Sequence, residues 1–529
     1  MIEVLSVQNM RASDRKTIEG GITGTELMQR AAEGIYDAIK DHPEGGEILN
    51  RQKNRNNPGI LIVCGSGNNA GDGFALGQIL VNNGLACEIL LLEERFSDDG
   101  RFFYEKCLSL NIPIGNRVPN INEYDIIVDC IFGTGFHGEV FEPQKSVIES
   151  INKSKAFVVS ADINSGLNGN SGRIEEGSVC VNSDLTVSIG SYKPGHFLSD
   201  AQDVIGTKVN CDIGISPVEE PYFLLQAQDA ASVLKPRKHN SHKGKYGYIA
   251  LVGGSLKYSG AVKLANLAQS AMASGAGVVK LAVPKVISQS VLPYLLESTL
   301  FVLSDNGEEV IYDEGELSQL VCGVSTIAVG IGIGASKEVE RILEYLFDNF
   351  DGNLIIDADG LNALAKRLDI LERKRKPQNV IITPHPKEFS RLCGEDIKTL
   401  LNNPCHIAKE FAVKYNVTVL LKGNTTVISD GKNIFLSDTG TAGMATAGSG
   451  DVLCGVIAAL VAFATLNDMG SIPVKEEGKI AFVSAAAAYI TGIAGMLAAE
   501  DETDISMTAS DTVSHIKKAI KYLVDKQYA

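Results

Sequence analysis

The 529 residues carry 48 Lys and Arg against 64 Asp and Glu, a formal net charge of −16. Such a chain repels phosphate backbones and anionic lipid, so nucleic acid and membrane surfaces are not expected partners, and an anionic ligand must be held by local groups. Hydrophobic residues at 44% and charged residues at 21% suffice for real cores, and the length exceeds what one core serves, so two domains are expected.

The ten cysteines are scattered singly from Cys64 to Cys454 with no C-x-x-C pair, which points to reduced thiols rather than zinc or redox chemistry. The opening MIEVLSVQNMRASDR lacks the apolar core of a secretory signal, and a cytoplasmic location is expected. The uncharged stretch Ile480–Ala499 has the length of a membrane span but is built largely of Ala, Gly, Ser and Thr. Small residues of that kind suit a closely packed buried helix.

Taken in chain order, a helix around Glu26, Leu27, Met28 and Ala31 is followed by the polar run Arg51–Asn57, read as a loop. Strand-like apolar runs then come at Gly59–Cys64, Cys87–Leu92, Asp125–Cys130, Ala156–Ala161 and Asp184–Ile189, most of them separated by helix-length segments. The alternation predicts a parallel sheet covered by helices on both faces. It weakens near Ile215–Pro221, which places a boundary between a first domain, 1–215, and a second, 226–529. The second series runs through Tyr248–Gly253, Val278–Val283, Thr326–Gly330, Leu354–Asp357, Val380–Thr383 and Val417–Leu421. The two series share no evident repeat, so two different α/β folds are joined.

In the first domain, Gly65-Ser-Gly-Asn-Asn-Ala-Gly-Asp-Gly73 follows a strand and precedes a helix, the position where open α/β sheets bind ligands. It does not match G-x-G-x-x-G, which argues against an ordinary dinucleotide dehydrogenase. Asp129 and Asp162 close two further strands, each leading into a glycine-bearing loop, and parallel strands bring such residues to one rim. GxGNNxGDG, DxxFGTG and D-I-x-S-G together closely resemble the NAD(P)HX epimerases. The resemblance implies epimerisation at the hydrated carbon of the nicotinamide ring. It further implies a potassium ion held by Asn69, Asp129 and Ser165. Substrate contacts would come from Asn68, Asn69, Ala70, Gly71 and Asp72, from the loop Gly133, Thr134, Gly135, Phe136, His137, Gly138 and Glu139, and from Asp162 as acid or base. One departure is Asn164, where the family usually has proline, so the stiffness of that loop comes into question.

In the second domain, Gly443-Met-Ala-Thr-Ala-Gly-Ser-Gly-Asp451 precedes an apolar helix-like run. A glycine-rich turn at a helix start offers free N–H groups and the helix dipole to an anion, and a carboxylate beside it can take a hydroxyl proton. There is no P-loop motif. Lys422-Gly-Asn-Thr-Thr426, Pro384-His385-Pro386, Gly253–Ala261 and Gly330-Ile-Gly-Ile-Gly334 lie at other strand ends. These motifs are similar to the ribokinase-like ADP- or ATP-dependent NAD(P)HX dehydratases. That resemblance implies a nucleotide with magnesium, held by Lys422, Gly423, Asn424, Thr425, Thr426 and Gly450. The hydrated cofactor would be touched by Ala261, Gly332 or Gly334, His385 and the base Asp451. Ala447 stands where glycine is usual, and Thr441-Ala442 where asparagine and a small residue or proline are usual.

The expected architecture is therefore α/β: an N-terminal Rossmann-like αβα sandwich and a C-terminal ribokinase-like αβα domain. The expected function is repair of NADHX and NADPHX with ADP or ATP, by a homo-oligomer. The alternative is a vitamin-salvage type of small-molecule kinase fused to a non-catalytic interaction domain.

Overall fold

A computed structural model describes residues 1–53, 58–236, 239–271, 277–373, 376–470 and 472–528. The chain divides into Glu3–Tyr222 and a second unit of Phe223–Ala529 with Met1–Ile2. The helix Pro43–Gln52 takes up Arg51 and Gln52 of the polar run read as a loop, whose residues 54–57 lie outside the described residues.

The first strands in chain order are β1 (Ile2–Val4), β2 (Ile60–Cys64), β3 (Cys87–Leu91), β4 (Ile114–Gly115), β5 (Ile126–Cys130), β6 (Phe157–Ala161), β7 (Ser183–Ile189) and β8 (Ile205–Cys211). Strands β2 to β8 make a parallel sheet ordered β4-β3-β2-β5-β6-β7-β8. The order reverses between β2 and β5, which opens a crevice beyond the carboxyl ends of those strands. Both are buried at every residue, as strands covered on two faces must be.

The second unit adds β9 (Tyr222–Leu224), β10 (Tyr248–Gly253), β11 (Val278–Pro284), β12 (Ser298–Leu303), β13 (Thr326–Ile331) and β14 (Asn353–Ile356). It ends with β15 (Asn379–Ile382), β16 (Thr418–Leu421), β17 (Thr426–Ser429) and β18 (Ile434–Ser437). The sheet order within this unit is β9-β18-β17-β16-β15-β14-β13-β10-β11-β12. It is mixed rather than all-parallel, because β17 runs antiparallel to both β16 and β18. The cause is local: Asp430-Gly-Lys-Asn433 is a hairpin turn in which Gly431 has φ 89° and Asp430 accepts hydrogen bonds from the Lys432 and Asn433 N–H groups.

Ser449–Leu466 and Lys479–Ser506 are the helices at the centre of this unit, and most of their residues are buried. By length and composition both could cross a membrane. Here Ile480–Ala499 lies inside Lys479–Ser506, packed in the core by its small residues.

The segment after residue 215 is tied to the first unit. Asn9 donates to the Glu219 carbonyl at 3.0 Å and accepts from the Glu219 N–H at 3.1 Å, while the Ser13 hydroxyl accepts from the Val218 N–H at 3.0 Å. A fragment 3–222 is therefore expected to fold alone and to be more stable than 3–215 by about 1–3 kcal/mol, the loss of a few net hydrogen bonds. Chemical denaturation of the two fragments checks this, and equal midpoints would refute it.

Candidate functional site

The crevice at the β2/β5 reversal holds a cavity of about 630 Å³. Its walls include Asn68, Asn69, Asp72, Gly133, Thr134, Gly135, Phe136, His137 and Asp162, with Arg11 and Asp14 from the helix Val7–Glu19. The expected glycine loop is largely helical: Gly67–Asn82 is one helix, and its N-cap Ser66 makes no side-chain capping bond. The Gly67 N–H is taken by the Arg95 carbonyl at 2.9 Å, but the N–H groups after it receive no side-chain cap, an arrangement suited to a pyrophosphate. Ala70 and Gly71 do not reach it. Ala70 is fully buried, and a Cβ at Gly71 would fall 2.5 Å from the Met28 sulfur. Their small size serves helix packing. Gly138 and Glu139 lie on the exposed end of their loop, outside the cavity wall.

Asp162 is the residue around which the site is organised. Its φ is +65°, a conformation that costs a non-glycine residue about 1–3 kcal/mol. Two residues overlooked in the sequence hold it there. The Lys193 ammonium, 1% exposed, lies 2.5 Å from the Asp162 carboxylate and 2.8 Å from the Ile189 carbonyl. His196, fully buried, contacts the Asp162 carbonyl at 2.7 Å through Nε2 and accepts from the Lys193 N–H at 3.0 Å through Nδ1. Burial first and the Lys193 charge second push the imidazole down to about 4, so the ring is neutral and Nε2 is the donor. Burial opposes the charge on Asp162, but the Lys193 ammonium outweighs it and holds the carboxyl below its ordinary range. Asp162 directly follows β6, whereas Lys193 lies beyond the turn Gly190–Tyr192 after β7, so no strand-end motif marks it in the sequence.

Asp129 and Ser165 lie beneath the cavity. Asp129 is fully buried and accepts from Ser165 Oγ at 2.6 Å, Ser165 N at 2.9 Å, Ser160 Oγ at 3.0 Å and Ile131 N at 3.1 Å. Burial pushes its carboxyl up and these donors pull it back. The Asn69 amide is buried with neither its oxygen nor its nitrogen paired. The loop of Asn164 is not loose. The Asn164 amide donates to Val181 O at 2.8 Å, Val204 O at 2.9 Å and Ser183 Oγ at 3.0 Å, and accepts from Thr186 Oγ1 at 2.6 Å. Hydrogen bonds supply the stiffness that a proline would give.

In the second unit, Gly448 at φ 98° starts the helix Ser449–Leu466, which carries Asp451 in its first turn. The Ser449 hydroxyl is buried without a partner, as expected where an anion would complete the turn. Lys422 pairs with the buried Asp357 at 2.8 Å, and a Cβ on Gly450 would fall 3.3 Å from the Lys422 nitrogen. The helix start, Lys422 and Asp357 are therefore neighbours. Burial first, then the Asp357 charge, pushes the Asp451 carboxyl up to about 7 against the pull of Lys422. Asp357 closes a predicted strand, and the sequence reading assigned it no role.

Gly332 and Ala261 are brought together, 3.1 Å between the Ala261 Cβ and a notional Cβ on Gly332. Gly334 donates its N–H to Asp359 at 3.0 Å. His385 caps the helix Pro386–Cys393 through Nδ1, and burial and then Lys422 lower its pKa. Asn424 accepts from the Thr425 N–H at 2.9 Å, Thr425 is buried, and Thr426 opens β17.

Residues 24–195 match the model of the YjeF-related protein N-terminus, and 249–518 that of NAD(P)H-hydrate dehydratase. The chain is 32% identical to the Archaeoglobus fulgidus bifunctional NAD(P)H-hydrate repair enzyme Nnr, over 98% of this chain and 99% of that one. It belongs to the bifunctional NAD(P)H-hydrate repair enzyme family. The Nnr of Moorella thermoacetica is 31% identical over 94% of this chain and 93% of its own. Both units are α/β folds as expected from sequence, and the two family models match in the expected order.

Proposed function

We propose that the chain repairs hydrated NADH and NADPH, interconverting their epimers in the first unit and dehydrating one of them in the second at the expense of ADP or ATP. The observation that carries this reading is that both units align with two-activity repair enzymes along nearly the full chain. Each unit also keeps a carboxylate, Asp162 or Asp451, at the end of its sheet.

In the second unit Asp451 takes the substrate's hydroxyl proton as that oxygen attacks the terminal phosphorus of the nucleotide. The bridging P–O bond of the nucleotide breaks. The phosphorylated C–O bond then breaks with help from the ring nitrogen's lone pair, and loss of a proton from the adjacent carbon restores the double bond. A carboxyl poised near neutrality suits the first step. Lys422 and the Gly450 turn hold the phosphates. Among the described residues no three His, Cys, Asp or Glu side chains converge on a metal, so magnesium would arrive on the nucleotide, where it spreads the phosphoryl charge.

A potassium ion suits Asn69, Asp129 and Ser165. Of the three, only Asn69 has an unpaired buried oxygen to offer the ion; Asp129, whose lone pairs are already taken by protein donors, supplies compensating charge, and Ser165, whose Oγ donates to Asp129 and accepts from the Phe132 N–H, holds that carboxylate in place. When bound, the ion offsets the Asp129 charge beside the substrate's pyrophosphate. The free state of all ten cysteines supports a reducing, cytoplasmic setting.

The test is to give the protein both epimers of hydrated NADH, with ADP or ATP, in potassium, sodium or a bulky organic cation. Consumption of both epimers with NADH formed and inorganic phosphate released is expected, and epimerisation is expected to be fastest in potassium. A stable phosphorylated product would overturn dehydration, and equal epimerisation rates in the three salts would overturn the potassium site.

A further inference from the structure

A second carboxyl faces the first cavity in a state opposite to that of Asp162. Asp72 lies on the helix Gly67–Asn82, is 9% exposed, and lines the same cavity as Asp162. The Asp162 oxygens accept from the Lys193 ammonium at 2.5 Å, the Thr134 N–H at 3.3 Å and the Ile189 N–H at 3.4 Å. Such a shell favours the carboxylate. Asp72 accepts no hydrogen bond from any described residue, and a buried carboxyl without donors favours the protonated form. Burial, then the charges of Asp162 and Asp14, push it well above its ordinary range, with Lys193 opposing. Two carboxyls driven apart within one cavity mark an acid and a base.

The substrate's chemistry needs that pair. Hydrating the enamine bond of a dihydronicotinamide puts the hydroxyl on the carbon bonded to nitrogen, because the nitrogen lone pair stabilises the cation formed there. The configuration of that carbon inverts if its C–O bond breaks and re-forms on the other face. We infer that Asp72 is the acid on whose proton the hydroxyl leaves, and that Asp162 is the base that takes a proton from the returning water.

In the first step the nitrogen lone pair becomes the second bond of an N=C double bond. The C–O pair departs on oxygen, and the Asp72 proton converts the leaving hydroxide to water. In the second step a water oxygen attacks the opposite face, the N=C pair returns to nitrogen, and Asp162 takes the excess proton. The proton then returns from Asp162 to Asp72 through solvent, and no oxidant or reductant enters. The reverse conversion runs the same steps backwards, from the form with the proton on Asp162.

This inference rests on the epimerase reading. The experiment compares the full-length wild type with Asp72→Asn, Asp72→Ser and Asp14→Asn, using one purified epimer of hydrated NADH in water labelled with oxygen-18. For the wild type, each inversion is expected to bring in one labelled oxygen, above the uncatalysed background. For Asp72→Asn, a kcat loss of at least about 10²-fold with KM changed only a few-fold is expected. Asp72→Ser serves if the asparagine variant does not fold. Inversion without label overturns C–O cleavage and the acid with it. Near-normal kcat in either Asp72 variant, or a loss that falls on Asp14→Asn alone, overturns Asp72. A wild type that does not epimerise at all defeats the epimerase reading instead.

Discussion

Replacing Asp451 by asparagine is expected to lower nucleotide-dependent dehydration by at least about 10²-fold while epimerisation continues at its normal rate. The amide fits the same space but cannot take a proton, and the other site lies in a separate unit with its own carboxylate. The wild-type dehydration rate should rise with pH through about 7, where Asp451 ionises, and this inflection should vanish in the variant. Stability gives an independent reading with a fixed sign. A carboxyl whose folded pKa is raised contributes stability that is complete below its unfolded value and lost as pH rises through its folded value. Between about pH 4 and 7 the wild type should therefore weaken relative to Asp451→Asn. Rate profiles and melting curves at pH 5 to 8 measure both. A variant that still dehydrates, or a melting difference that does not change with pH, would contradict the assignment.

The second large effect belongs to Lys193→Met. Methionine fills much of the aliphatic volume but removes the ammonium 2.5 Å from Asp162, leaving a buried charge without its partner. Breaking such a pair costs about 3–5 kcal/mol. In the wild type the lowered pKa of Asp162 gives stability that is present above its unfolded value and lost as pH falls through its folded one. In the variant, burial acts unopposed and raises the carboxyl. The deficit against wild type is thus expected to be largest near neutrality and to shrink toward pH 4. Epimerisation should fall together with stability, since Asp162 would no longer be held as a carboxylate. Denaturant titrations at pH 4.5 and 7.5 decide it, and a deficit independent of pH would mean that Lys193 acts by packing alone.

The strand-end motifs were legible in the chain, because glycine, asparagine and aspartate gather there in place of the apolar spacing of an ordinary connector. Asp162 and Asp451 were visible for that reason. Lys193, His196 and Asp357 were less so, because their roles lie in pairings with residues 31, 34 and 65 positions away. No local pattern encodes such distances. The strands read from apolar runs are present nearly to the residue, whereas β12 and β18, whose runs Leu300–Leu303 and Ile434–Leu436 are short, and β8, with Gly206 and Lys208 on a partly exposed edge, were not read from the sequence. Gly71 and Gly73 looked like loop residues because helix interiors seldom need glycine. A Cβ at Gly73 would fall 2.8 Å from the Cys64 sulfur, so here closeness between helix and sheet set the residue type.

The partners of Asn164 bear on the order in which the first site comes into being. A proline restrains its neighbours from the moment the chain is made, folded or not. Asn164 restrains them only once Val181, Ser183, Thr186 and Val204 have arrived, residues 17 to 40 positions further along. The loop between Asp162 and Ser165 therefore acquires its shape late, after β7 and the turn into β8 have docked. The same dependence runs in reverse on unfolding: loosening the edge of the sheet would dissolve the ligand pocket while β2, β3 and β5 still stand.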